Sequence, residues 1–333
     1  MNIIIPMAGR GTRLRPHTLT TPKPLIPIAG KPIVHRLVED IVEVCAESVD
    51  KIGFIIDRDF GKEVEEDLKA IAKSVNAEPS IHYQDDKLGT AHAILCAQEL
   101  LDGNVIVAFA DTLFKADFKL DASKDGIIWV QQVDDPSAFG VVKMDDDIIT
   151  DFIEKPIEFV SDLAIIGIYY FKNGSFLKSE LQYLIDNEIM EKGEYQLTKA
   201  LENMKNKGCN FVPGQVSEWL DCGNKNATVY TNKRYLEFIK DEDLVAKTAS
   251  VKNSVIIQPV FIGENVELEN SIIGPHVSIG ANTTIKNSIV QNSIIQTNTN
   301  VNNANMKNSM IGNYVTLEGK SDDLSVGDYN SIL

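Results

Sequence analysis

The chain has 333 residues, of which 44% are apolar and 24% charged, and its formal charge is −16 at pH 7. That length suits two domains, and the composition is that of a globular protein with a sizeable core. A surface this acidic repels phosphate backbones and anionic lipid, which excludes nucleic acid and membranes as expected partners.

In chain order, the first element is a short apolar run, "NIII", read as a buried strand and followed at once by the turn "PMAGRGTRLRP". In "KPIVHRLVEDIVEVCAES", Ile33, Leu37, Ile41 and Val44 recur at helical spacing, so a helix is predicted. "KIGFIID" reads as a strand, "FGKEVEEDLKAIAKSV" as a helix, "SIHYQ" as a strand and "TAHAILCAQELL" as a helix. "NVIVAFAD" reads as a strand ending in Asp111. This alternation predicts an α/β domain on a mainly parallel, Rossmann-like sheet, with ligands beyond the carboxyl ends of its strands. From 126 to 171 closely spaced strands predict a mixed, partly antiparallel extension. Helices at 174–190 and 196–206, a strand around 210–220 and a helix near 224–240 complete this part.

After residue 245 the rhythm changes. "VKNSVI" at Val251, "LENSII" at Leu268, "IKNSIV" at Ile285 and "MKNSMI" at Met306 recur at offsets of 17, 17 and 21 residues. Between them lie six-residue units such as "IGENVE" from Ile262, "IGPHVS" from Ile273 and "IGANTT" from Ile279. Two such units and one shorter by a residue complete the 17-residue repeat, which is one triangular coil of a hexapeptide left-handed β-helix. The Asn-rich run 298–308 fits either stacked corners or a loop. The expected domains are therefore 1–245 and 246–333.

The cysteines at 45, 96, 209 and 222 form no C-x-x-C pair, and the histidines at 17, 35, 82, 92 and 276 show no metal-ligand spacing. With no apolar run long enough for a membrane span or a leader, a cytoplasmic protein is expected.

The opening turn fails both familiar phosphate loops. A dinucleotide fingerprint needs Gly where Leu14 stands, and a P-loop needs a Gly-Lys-Ser/Thr that is absent. What remains is a glycine turn at a strand end with Arg13 and Arg15 beside it, followed by Lys23 held between Pro22 and Pro24. Either piece alone could be an ordinary loop; together they favour a polyphosphate site.

"AGRGTRLRP…PKPLIPIAGKP" resembles the signature of the sugar-1-phosphate nucleotidyltransferases. Further pieces follow in that family's order: "LGTAHA" at 88–93, "FAD" at 109–111, "FGVV" at 139–142, "FIEKP" at 152–156 and "WLDCG" at 219–223. With its trailing coils the chain is most similar to the long-form glucose-1-phosphate thymidylyltransferases. Met7-Ala8-Gly9 departs from the usual Ala-Gly-Gly.

The resemblance implies attack of a sugar-1-phosphate oxygen on the α-phosphorus of a nucleoside triphosphate, with release of pyrophosphate. It implies catalytic roles for Arg13, Lys23, Asp111, Lys155 and Asp221, and Mg²⁺ held jointly by Asp111 and Asp221. Ala8, Gly9, Gly11, Thr12, Arg13, Gln84, Gly89 and Thr90 would bind the nucleotide, and Gly140, Glu154, Lys155 and Tyr169 the sugar phosphate. "GEYQLT", Glu194 to Thr198 with the preceding glycine, corresponds to a segment near the sugar pocket. The amide of Gln84 can both donate and accept, which suits the imide edge of uracil or thymine. Expected substrates are dTTP or UTP and glucose-1-phosphate. Alternatives are GTP with mannose-1-phosphate, or a bifunctional nucleotidyltransferase/acyltransferase for which His276 is the only histidine in the coils. The coils are expected to mediate homo-oligomer contacts or regulation.

Overall fold

The computed structural model describes residues 1–9, 11–116 and 119–320. The chain divides into two compact units. One holds Met1–Ile26 and Pro32–Gly223; the other holds Pro27–Lys31 and the chain from Asn224 onward. The unit carrying the coils thus begins at Asn224 rather than at 246.

The first unit is built on a nine-stranded sheet. Its leading strands are β1 (Asn2–Pro6), β2 (Lys51–Ile56), β3 (Glu78–Tyr83) and β4 (Val105–Ala108), paired in parallel in the order β4-β1-β2-β3. After a separate strand β5 (Thr112–Lys115) come β6 (Gly126–Gln132), β7 (Gly140–Asp145), β8 (Ile148–Glu154) and β9 (Leu163–Phe171). β9 runs antiparallel to β4, β6 and β7, and β7 antiparallel to β8, so the sheet is mixed as its sequence predicts.

Helix α1 (Ile33–Val44) buries Ile33, Leu37, Ile41 and Val44, the face its periodicity marks out. Helix α2 spans Gly61–Ser74. Helix α3 covers only Thr90–Leu95, because Ala97 leaves helical geometry and a separate turn, Gln98–Leu100, follows. The Leu100 carbonyl of that turn accepts a hydrogen bond from the Asn2 side chain at 2.9 Å. Helices α4 (Gly174–Asp186) and α5 (Leu197–Asn206) pack into the core formed around Ile4, Val107, Ile128 and Phe171. The single strand expected at 210–220 is two. β10 (Phe211–Gln215) pairs with β6, whereas β11 (Glu218–Asp221) turns away to pair with β5.

In the second unit, helix α6 (Lys225–Phe238) precedes three stacks of short parallel strands, the faces of the expected left-handed β-helix. Val251, Leu268, Ile285, Val301 and Leu317 stack in register on the first face. Met306 does not continue that column. It lies over Val290 on the second face, so its 21-residue offset compares two different corners. The Asn-Ser pair is a corner signal rather than a face signal, because asparagine tolerates the left-handed backbone a corner needs. Asn253, Asn270 and Asn287 all have positive φ, as do Asn265, Asn282 and Asn298. Their amides bond from coil to coil, Asn253 to Asn270 at 2.7 Å and Asn270 to Asn287 at 3.2 Å. The Asn-rich run is likewise corner: Asn298, Asn303 and Asn308 all have positive φ.

One corner changes length along the stack. Ile273 lies over Val290 and Val277 over Ser293, so the turn through Gly274-Pro275-His276 is one residue longer than the next turn through Gln291-Asn292. At that longer corner His276 Nε2 lies 2.6 Å from Glu237 Oε1 on α6.

Candidate functional site

At the carboxyl end of β1 the chain enters the glycine turn. Gly11 is left-handed at φ 58 and opens a short helical turn, Thr12–Leu14, which buries Leu14 and leaves Arg13 exposed. A side chain at Gly11 would meet the Lys23 Cβ at 2.8 Å, so the absence of a Cβ lets the two segments close on each other. Gly9 faces open space, and its neighbour Ala8 is buried without positive φ. The departure at Ala8 therefore carries no backbone strain.

Lys23 is buried, and its Nζ reaches Asp111 Oδ2 at 3.2 Å. Asp111 does not end a strand as expected. β4 stops at Ala108, after which the Phe109 N–H donates to the carbonyl of Gly167, left-handed at φ 86 within an irregular stretch of β9. Asp111 then occupies the link into β5. Pairing of β5 with β11 sets Asp221 opposite Thr112, and the Cys222 N–H donates to the Asp111 carbonyl at 3.0 Å. The Gly223 N–H donates to Asp221 Oδ1 at 2.8 Å. Burial pushes the Asp221 carboxyl above its ordinary pKa and the Asp111 charge adds to this, while Lys23, the Gly223 N–H and Arg13 oppose it.

Across the turn, Gln84 is buried, and its amide nitrogen lies 3.3 Å from the Gly89 carbonyl and 3.4 Å from His92 Nδ1. Gly89 has φ 113, and a Cβ there would strike the Tyr195 backbone at 2.5 Å. Thr90 Oγ1 accepts from the Leu197 N–H at 2.9 Å, tying α3 to the start of α5.

These pieces enclose a cleft of about 410 Å³ lined by Ala8, Gly9, Gly11, Thr12, Arg13, Lys23, Gln84, Gly89, Thr90 and Asp111. The same cleft is lined by Lys87, Phe109, Glu194 and Gly223. Lys87 and Phe109 were missed by sequence reasoning, although each lies inside or beside a stretch it singled out. Lys87 falls between Gln84 and Gly89, and its Nζ is 2.5 Å from Asp57 Oδ2.

The residues expected at the sugar phosphate form a second group outside the lining of that cleft. Gly140 and Glu154 are paired across β7 and β8. A Cβ on Gly140 would meet Glu154 Oε2 at 3.1 Å. Lys155 has φ 43 and places its Nζ 3.5 Å from Glu154 Oε1, with over half of its side chain exposed. Tyr169 is buried, and its phenol is pushed far above its ordinary pKa by burial and by the carboxylates of Glu154 and Asp111.

Residues 2–237 match the nucleotidyl transferase family. The chain belongs to that family. Residues 238–295 match the GlmU-like C-terminal hexapeptide. The bifunctional protein GlmU of Methanococcus maripaludis is 33% identical over 265 residues, covering 78% of this chain and 60% of its own length. The chain thus spans about 60% of the GlmU relatives it matches. The low-salt glycan biosynthesis nucleotidyltransferase Agl11 of Haloferax volcanii is 30% identical over 268 residues, 77% of this chain and 72% of its own. A crystal structure of UDP-glucose pyrophosphorylase complexed with UDP-glucose shares the fold. Its TM-score is 0.59 at 23% identity, over 71% of this chain and 98% of that one. Among the described residues no helix is long and apolar enough to cross a membrane.

Proposed function

We propose that this nucleotidyl transferase family member transfers a nucleoside monophosphate from dTTP or UTP to a sugar-1-phosphate, glucose-1-phosphate foremost, releasing pyrophosphate. The observation that carries the reading is the buried Lys23 beside Asp111, 3.2 Å apart, on the wall of a cleft that also presents Arg13 and the glycine turn. Reactions at phosphorus depend on positioning and charge neutralisation, and this cluster supplies both. Arg13, exposed at the turn, would bind the outer phosphates and stabilise the departing pyrophosphate. Lys23 would hold a non-bridging oxygen at the reacting phosphorus. Glu154 and Lys155 would take the sugar hydroxyls and the sugar phosphate, with Gly140 leaving room for close approach.

Asp111 and Asp221 would hold Mg²⁺, a hard ion that takes one or two carboxylates and completes its shell with substrate phosphates and water. The residues fit that role. The pairing of β5 with β11 sets Asp221 opposite Thr112, and the Cys222 N–H donates to the Asp111 carbonyl at 3.0 Å, so the two aspartates come from adjoining backbone and supply an anionic pair. When bound, Mg²⁺ would neutralise charge on the phosphates.

For the base, Gln84 has its amide nitrogen directed at the Gly89 carbonyl, so its carbonyl oxygen is the natural acceptor for the N3–H of uracil or thymine. Guanylyl transfer to mannose-1-phosphate is the competing outcome. Acyl transfer in the coils is a further competing outcome, for which His276, with its Nε2 2.6 Å from Glu237 Oε1, is the histidine the coils offer. The test measures pyrophosphate release with Mg²⁺ across a panel of nucleoside triphosphates and sugar-1-phosphates. Turnover greatest with dTTP or UTP supports the reading; silence of a folded sample across the panel overturns it.

A further inference from the structure

Asn232 is fully buried on α6 and its Oδ1 accepts two hydrogen bonds from different parts of the second unit. One comes from the Ala29 N–H at 2.9 Å, the other from the Ser278 hydroxyl in the coils at 2.7 Å. Ala29 and Gly30 are both left-handed, at φ 48 and φ 85, so their loop has one defined shape. A Cβ on Gly30 would fall 2.2 Å from the Phe261 ring, which means the loop lies directly on a coil side chain. The Pro27–Lys31 loop belongs to the coil unit although the rest of the early chain does not.

The chain entering this junction comes from the reacting cluster on both sides. Only Pro24, Leu25 and Ile26 separate Lys23 from the loop, and only Cys222, Gly223 and Asn224 separate Asp221 from α6. Asn224 then caps α6, its side chain accepting from the Asn226 and Ala227 N–H groups at 3.0 and 3.1 Å. A single oxygen therefore fixes where two short tethers end, one leading to the lysine and one to the carboxylate. Tethers of three residues transmit displacement, and a misplacement near 1 Å is felt strongly at a reacting centre, on the order of a hundredfold in rate.

We propose that Asn232 is a positioning residue for nucleotidyl transfer, holding Lys23 and Asp221 in place through the loop and the helix it joins to the coils. This rests on the function proposed above. It gives the coils a part in turnover without any contact with substrate.

The test compares the wild-type protein with Asn232→Ala, Asn232→Asp and Asn253→Ala in the pyrophosphate-release assay, with circular dichroism to verify folding. Asn232→Ala removes the shared acceptor and is expected to lower kcat about tenfold or more. KM for the triphosphate should change less than about threefold, because the base is read elsewhere, near Gln84 and Gly89. An aspartic acid keeps an acceptor oxygen whether or not it is ionised, so Asn232→Asp should recover a substantial part of kcat. Asn253→Ala removes a coil rung bonded at 2.7 Å to Asn270 and should leave kcat at the wild-type value. An active wild type with a folded Asn232→Ala variant of unchanged kcat overturns the positioning role alone. Equal losses of kcat in Asn232→Ala and Asn253→Ala also overturn it, since general loosening of the coils would then be the cause. An inactive wild type overturns the proposed function and this inference with it.

Discussion

Gly11 and Lys23 touch so closely that a Cβ on the glycine would lie 2.8 Å from the Cβ of the lysine. Two changes meet at this contact, since Gly11 is also left-handed at φ 58. A Gly11→Ala variant is therefore strained in its backbone, by roughly 1–2 kcal/mol, and pushes Lys23 off its position as well. Activity should fall by more than stability alone explains. Steady-state kinetics at a temperature well below Tm should show kcat/KM reduced about tenfold or more.

Lys23 is buried with its charge beside Asp111. Lys23→Met keeps the apolar stem and removes the ammonium group. If the lysine neutralises charge at the reacting phosphorus, kcat should fall on the order of 10²- to 10³-fold. A variant with near wild-type turnover would remove Lys23 from the reaction.

Asp221 carries a pH signature whose sign is set by its raised pKa. A carboxyl that is harder to ionise in the folded state than in the unfolded one costs the fold stability as pH rises from the ordinary aspartate range through the raised value. At lower pH both states are protonated and the cost vanishes. Asp221→Asn should therefore raise Tm at pH 7 while abolishing Mg²⁺-dependent turnover. The Tm advantage should shrink as pH falls to the ordinary aspartate range, which a set of thermal melts between acid and neutral pH would show. A variant less stable than wild type at pH 7 would contradict this sign.

In the coils, Asn287 is left-handed at φ 49, accepts from the Asn270 amide at 3.2 Å and donates to Asn302 at 3.0 Å. Asn287→Ala loses both bonds and adopts a poor backbone geometry, for a cost of about 1–2 kcal/mol. Asn287→Gly loses the bonds but accepts the geometry, so its melting temperature should lie between those of the alanine variant and the wild type.

Much of this was legible in the residues. The burial of Ile33, Leu37, Ile41 and Val44 follows from their spacing, and the coil repeat follows from the recurrence of Asn-Ser corners. What sequence could not supply was set by partners remote along the chain. Asp111 lies in the link between its strand and β5, whose pairing with β11 is remote along the chain, and the turn after α3 is held from the far side by the Asn2 amide on the Leu100 carbonyl. Met306 repeats a corner motif but stacks on Val290, since corner chemistry is shared by all three faces and does not say which face it serves. At the cleft, Lys87 has no motif of its own; it lies between Gln84 and Gly89 without belonging to the pattern that marks either.

The longer corner through Gly274-Pro275-His276 gives the coil array a marked end. Coils beyond it advance by 16 residues, as from Thr284 to Asn300 and from Asn300 to Thr316, whereas those before it advance by 17, as from Ser250 to Glu267. Both series repeat regularly, and what sets the longer corner apart is that His276, in the left-handed position Asn292 takes one coil later, meets Glu237. Lengthening or shortening of such an array by whole coils is therefore polar. It is open only beyond the rung Ser293–Ile295, because α6 is seated on that rung as well as on Val277–Ile279.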